Sequence, residues 1–168
     1  TDATGNASTQ AVTVTVTDID DVSPIFIPTQ YETMGLGTYD SSGSVVSVTL
    51  SADGQMAYVA DRSSGLQIID VSNSSSPTLL GTYDTSGSAF DVTLSSDGQT
   101  AYVADNSSGL QIIDVSSPSS PTLLGTYDTP EQSKAVTISA DGNFAYVADG
   151  SSGLQIIDVS NSSSPTLL

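Results

Sequence analysis

The chain has 168 residues, of which 37% are apolar, enough for one domain with a real core, so a disordered segment is excluded. Nineteen Asp and Glu stand against Arg62, Lys134 and no His, for a net charge of −17; this rules out nucleic acid as a natural partner, because phosphate binding needs Lys and Arg, and disfavours anionic membrane surfaces. With no Cys there is neither a disulfide framework nor a thiolate zinc site, and no apolar run approaches the roughly 20 residues of a membrane span.

An acidic surface rich in Ser, Thr and Gly stays soluble by self-repulsion and suits a medium that supplies cations, which points outside the cell. The N-terminus lacks a basic stretch followed by an apolar one, as expected of an internal piece of a longer secreted chain. Residues 1–26 stand apart in composition from residues 27–168. In them Val12, Val14 and Val16 alternate with Thr13, Thr15 and Thr17, which predicts a strand. It runs into Asp18-Ile19-Asp20-Asp21-Val22-Ser23-Pro24-Ile25-Phe26. Three carboxylates within four residues, followed by a rigid proline, suit calcium, a hard cation that takes six to eight oxygens. The candidate ligands are the side chains of Asp18, Asp20 and Asp21 and the carbonyls of Ile19 and Val22.

Beyond residue 26 the chain repeats itself. Gly-Thr-Tyr-Asp begins at Gly37, Gly81 and Gly125, a step of 44 residues each time with no gap. The same step superposes Ala57-Tyr58-Val59-Ala60-Asp61 on residues 101–105 and 145–149, and Ser63-Ser64-Gly65-Leu66-Gln67-Ile68-Ile69-Asp70-Val71-Ser72 on residues 107–116 and 151–160. The units are set at about 37–80, 81–124 and 125–168.

Each unit predicts four short strands. Val46, Val48 and Leu50 alternate with Ser47 and Thr49, giving a half-buried first strand over 46–50. Asp53-Gly54 supplies a turn, since Gly accepts positive φ and Asp bonds its own backbone. The second strand, 57–60, and the third, 66–71, are apolar on both faces and need cover on both. Residues 61–65 and 72–77 form the next turns, and a fourth strand runs from 78 to about 83 with Gly81 in its middle. Four antiparallel strands in 44 residues, apolar on both faces of the central pair, specify an all-β fold of propeller blades buried by their neighbours. The alternative is a β-solenoid stack, but its coils use shorter repeats.

Ala-Tyr-Val-Ala-Asp, Gly-Leu-Gln-Ile-Ile-Asp-Val-Ser and Ser-Pro-Thr-Leu-Leu-Gly-Thr-Tyr, in this order, resemble the LVIVD repeat of bacterial and archaeal surface proteins. The resemblance implies propeller blades that serve as scaffolding for extracellular recognition, and it carries no catalytic residue. Residues 18–26 are similar to the close of a cadherin-type domain, Asp-x-Asn-Asp-Asn-x-Pro-x-Phe, with Asp20 and Val22 where that motif has Asn. Asp2-Ala3-Thr4-Gly5-Asn6 resembles the turn before its last strand. This implies a calcium site, whereas immunoglobulin-like bacterial domains close on a similar strand without metal.

Three sets of aspartates recur: Asp53, Asp97 and Asp141; Asp61, Asp105 and Asp149; Asp70, Asp114 and Asp158. Each set either rings a propeller mouth as a calcium collector or caps turns through bonds to backbone amides, and a residue repeated once per blade favours the cap. Four Asn-x-Ser sequons, at Asn6, Asn73, Asn106 and Asn161, are turn asparagines or glycan acceptors according to the host. Enzymatic readings fail on inventory: without His or Cys, and with Lys134 alone, no ordinary base activates a serine, and no carboxylate pair is marked out for glycoside hydrolysis. Glu131 and Lys134 are the charged novelty of the third unit.

The sequence therefore predicts a non-enzymatic structural or adhesive module of a large multidomain protein at the cell surface, its propeller a spacer or a docking platform for proteins or glycans. The alternative is a subunit of an extracellular fibre, in which repeats of different chains complete each other. Three units fall short of the four to eight blades of a closed ring, so further blades are expected from the parent chain or by self-association.

Overall fold

The computed structural model describes residues 37–41 and 43–168. The expected strand over residues 12–17 and the calcium candidates Asp18, Asp20 and Asp21 lie outside these residues.

In each repeat the alternating and apolar runs become one four-stranded antiparallel sheet, its strands in chain order from one edge to the other. The first holds β1 (Ser47–Leu50), β2 (Met56–Ala60), β3 (Leu66–Asp70) and β4 (Thr78–Tyr83). The second holds β5 (Asp91–Leu94), β6 (Thr100–Ala104), β7 (Leu110–Asp114) and β8 (Thr122–Tyr127). In the third are β9 (Ser133–Ile138), β10 (Phe144–Asp149), β11 (Leu154–Asp158) and β12 (Thr166–Leu167). Among the described residues no sheet joins strands of different repeats, so the units are blades and not the coils of a solenoid. The one helical turn among the described residues is a 3₁₀ turn at Gly150–Ser152, inside the second turn of the third blade.

Gly54, Gly98 and Gly142 take φ between 69° and 76° in the Asp-Gly turns, where an L side chain would be strained. Gly81 has a different reason to be glycine. A Cβ there would meet the backbone of Ser119 at 3.1 Å and the carbonyl of Pro118, so the turn between β7 and β8 sits directly on β4 of the preceding blade. Gly125 meets Ser162 and Ser163, and Gly37 meets the backbone of Ser74 and Ser75, in the same way. A register shift that the alternation did not announce falls beside this seat: Ile68 pairs with Gly81 but Ile69 with Leu79, leaving Leu80 as the extra residue of a bulge.

Each central strand has two apolar faces, and at the two junctions between blades the front face of one blade meets the back face of the next. The front face of the first blade (Tyr58, Ala60, Leu66, Ile68) packs on the back face of the second (Val92, Ala101, Val103, Ile113, Val115). The front of the second (Tyr102, Ala104, Leu110, Ile112) packs on the back of the third (Val136, Ala145, Val147, Ile157, Val159). The alternation of the first strand is thus read differently by position: Val92 and Val136 are 2% and 6% exposed, whereas Val48, at the same place in the first blade, is 57% exposed because no blade covers it.

Backbone bonds reinforce both junctions. Arg62 and Ala89 exchange N–H···O bonds of 3.0 Å each way, and Asn106 and Ser133 do the same at 3.1 and 3.0 Å. These bridges hold Arg62 and Asn106 at φ 35° and 46°, a left-handed conformation that suits Asn better than Arg. The Arg62 guanidinium also lies 4.9 Å from the Phe90 ring centre across the first junction.

Candidate functional site

The repeated carboxylates are the only chemistry the sequence offers in quantity, and their geometry separates the three sets. Asp53, Asp97 and Asp141 each accept the hydroxyl of the serine two residues before, at 2.5 to 2.6 Å, and the amide two residues after, at 3.0 to 3.1 Å. Those hydroxyls and amides hold the carboxyls of all three below the usual aspartate range. Asp70, Asp114 and Asp158 accept the amides of Ser72, Ser116 and Ser160 at 2.9 Å, and are held low by hydroxyl and amide of the same serines. All six cap turns at the surface, and among the described residues no group of three His, Cys, Asp or Glu could hold a metal ion.

The remaining set is different, because Asp61, Asp105 and Asp149 are each fully buried at the end of the second strand of their blade. Asp105 accepts the Thr85 hydroxyl and the Gly87 amide, both at 2.7 Å; Asp149 accepts the Thr129 hydroxyl at 2.7 Å and the Glu131 amide at 3.1 Å. The donors lie in the linker that enters the blade, so the carboxylate latches that linker to the central hairpin. Burial pushes the Asp105 carboxyl up, against the pull of Thr85 and Gly87, and the Asp84 charge adds to the rise. In the first blade Asp61 takes the Gln67 side-chain amide at 2.8 Å, and its other oxygen is buried without a donor.

Asp91 was not singled out by the repeat motifs. Its Oδ1 accepts the Ser47 hydroxyl of the first blade at 2.6 Å and its Oδ2 the Val136 amide of the third at 2.9 Å, so one side chain ties three first strands together. Its signal was a departure from the period: Ser47 and Ala135 occupy the same place in the other units.

An open groove of about 250 Å³ lies at the first junction between two Asp-Gly turns, lined by Ser51, Asp53, Met56, Tyr58, Asp97 and Gly98 among others. Burial, with the Asp53 charge, pushes the Tyr58 phenol up, so it is a neutral hydrogen-bonding group at ordinary pH. Glu131 and Lys134 are both exposed, and Glu131 is engaged through its backbone in the Asp149 latch. Of the sequons, Asn73 and Asn161 are exposed turn residues whose Oδ1 accepts the hydroxyls of Ser75 and Ser163, at 2.7 and 2.8 Å. Asn106 is half-buried in the inter-blade bridge, and Asn6 lies outside the described residues.

The sequence pattern of the LVIVD repeat matches residues 42–85, 86–129 and 133–168. The chain belongs to the LVIVD-repeat family. No curated protein matches it in sequence. Among solved structures, an LVIVD chain of this form is similar to a 6-phosphogluconolactonase-like protein of Bacteroides fragilis, with a TM-score of 0.64 and 19% identity over 72% of this chain and 36% of that one. It is similar to the Cps50 (Swd1) β-propeller domain of Myceliophteria thermophila, with a TM-score of 0.61 and 15% identity over 74% and 39%. A third similarity is to hydrazine synthase of Kuenenia stuttgartiensis, with a TM-score of 0.59 and 19% identity over 74% and 37%. At these identities the likeness is one of fold, and the three LVIVD sheets are β-propeller blades. The chain spans well under half the length of each of these structures.

Proposed function

We propose that this LVIVD chain is a non-enzymatic structural or adhesive module of a large multidomain protein at the cell surface. The blades act as a spacer or as a docking platform for other proteins or for glycans. One observation carries the reading: in the described blades the recurring carboxylates cap turns or latch linkers, apart from Asp61, which takes the Gln67 side-chain amide, so nearly all the residues that an active site would draw on are bound to backbone and hydroxyl donors. The charge of −17 supports an environment rich in cations and argues against nucleic acid and membrane insertion as destinations. Among the described residues no helix is long and apolar enough to cross a membrane. An antibody against the repeats should label intact, unpermeabilised cells of the organism that makes the chain. Labelling only after permeabilisation, or hydrolysis of 6-phosphogluconolactone by the purified chain, overturns the reading.

Calcium belongs to the same proposal, with Asp20 and Asp21 as ligands, Asp18 beside them, and a cadherin-like domain ahead of the repeats as their source. Extracellular sites bind at about 10⁻⁴ to 10⁻³ M, so a tenfold excess over the dissociation constant adds about 1.4 kcal/mol. The melting temperature should rise in calcium, and a scan that does not move between calcium and chelator removes the site.

A further inference from the structure

The two internal junctions repeat one packing scheme, and they differ at a phenol. Tyr102, on the front face of the second blade, is hydrogen-bonded to the side chain of Ser162 in the third. The matching place in the second blade, 44 residues earlier, is Pro118, which has no hydroxyl to offer Tyr58. Tyr58 is 1% exposed, and among the described residues its phenol has no hydrogen-bond partner. It lines the groove of about 250 Å³ at the Asp53 and Asp97 turns, so a ligand that displaces solvent there must satisfy the phenol itself. The two aspartates of the groove are also less committed than their counterpart in the third blade. Asp141 accepts the Asn143 side chain on Oδ2 at 3.0 Å, besides its turn bonds on Oδ1. Asp53 and Asp97 make the same turn bonds on Oδ1, but Gln55 and Gln99 stand where Asn143 does and leave Oδ2 without a side-chain donor. The serine hydroxyl and amide bonds of the turns hold both carboxyls low, so both are charged at neutral pH. Ala52 and Met56 supply an apolar wall, and neither Arg62 nor Lys134, the two cations of the chain, lines the groove.

We propose that this groove takes a lysine side chain of a partner protein, its methylene stem along Ala52 and Met56 and its ammonium shared by Asp53, Asp97 and the Tyr58 phenol oxygen. Charge complementarity identifies the occupant. An ammonium has three donors and no acceptor, which matches two uncommitted carboxylate oxygens and a neutral phenol, and its stem is the part of lysine that packs on apolar surface. Calcium fits less well, since it takes six to eight oxygens and this wall is partly hydrocarbon. A neutral sugar gains nothing from the two charges. The assignment rests on the docking-platform reading, of which it names the partner chemistry. Surface labelling of cells tests that reading separately, so either can fail while the other stands.

Methyl NMR on the 168-residue chain is the test, because its methionines are Met34 and Met56 and the second lines the groove. The probe is the peptide acetyl-Gly-Lys-Gly-amide, titrated at physiological ionic strength so that diffuse attraction to the charge of −17 is screened. The Met56 methyl signal should shift and saturate, and the same peptide with norleucine for lysine should leave it in place. Tyr58→Phe and Asp97→Asn should each weaken binding about tenfold, the loss of one hydrogen bond to a charged group. Tyr58→Phe keeps the packed ring and removes no bond of the free chain, so it keeps the fold, which circular dichroism checks. If Asp97→Asn loosens its turn, Asp53→Asn is read in its place by the same criterion. Asp141→Asn, in the equivalent turn of the third blade, should leave the affinity within about twofold. A Met56 signal that does not move at about 10 mM peptide overturns the proposal. So does a loss with Asp141→Asn equal to that with Asp97→Asn, which would mean diffuse charge alone, or an affinity unchanged in Tyr58→Phe. A shift given by calcium chloride or lactose and not by the lysine peptide overturns it in favour of a metal or a glycan.

Discussion

Leu110→Ala should cost about 2–5 kcal/mol of folding stability, read from the midpoint of a urea titration. Leu110 is fully buried at the second junction, packed among Tyr102, Ile112 and the back face of the third blade. Truncation removes its transfer energy and leaves a cavity that two rigid sheets cannot close. The control lies in the same blade: Leu123, 43% exposed on the outer strand, should change stability by no more than about 0.5 kcal/mol when it becomes Ala. Domains are stable by only about 5–15 kcal/mol, so the first substitution removes a large part of the total and the second is scarcely detected. Equal costs at the two sites would mean that the blades do not pack front to back.

Asp105→Ala is expected to cost about 2–4 kcal/mol, because the buried Thr85 hydroxyl and the part-buried Gly87 amide would each be left without an acceptor. Asp105→Asn should cost less, since one amide oxygen still serves Thr85 while the NH₂ group opposes the Gly87 donor. The two variants also separate the pH dependence. The Asp105 carboxyl is raised in the folded chain, so the folded state binds its proton more tightly than the unfolded state does. Its contribution is fully present below the ordinary aspartate value of 3.8 and is lost as pH rises through the folded value. The six turn aspartates, whose carboxyls are lowered, act in the opposite sense: they stabilise above 3.8 and their contribution disappears as pH falls through their folded values. The stability difference between the unmodified chain and Asp105→Asn should therefore shrink as pH rises from about 3.8. A difference that grows over that interval would mean that the latch carboxylate is not disfavoured by burial.

The period of 44 and the two-faced apolar strands Ala57-Tyr58-Val59-Ala60 and Leu66-Gln67-Ile68-Ile69 were sufficient to read the blade, because each feature is local or repeats identically. The fourth strand came out at residues 78–83 as the sequence implied, though the bulge at Leu80 did not, since it depends on how the next blade's turn lands on Gly81. Burial was legible only where a neighbour exists: identical leucines at 66, 110 and 154 have one sequence context and two environments. The recurring aspartates looked alike in composition, and only the fold separates the buried set at 61, 105 and 149, two of which latch a linker, from the surface caps. Asp91 escaped a reading built on what repeats, because its role rests on what does not.

The strand order of the blades has a mechanical consequence. In every blade the chain enters at one edge of the sheet and leaves at the other, crossing it strand by strand. Tension along the backbone is therefore delivered to an edge strand, which can be peeled away one pair of bonds at a time and is not sheared against all of them at once. What resists is then the seat of each turn on the preceding sheet and the latch at the foot of each linker. A propeller of this kind inserted in a long surface protein would lengthen under load in steps, one sheet giving way before the next is strained.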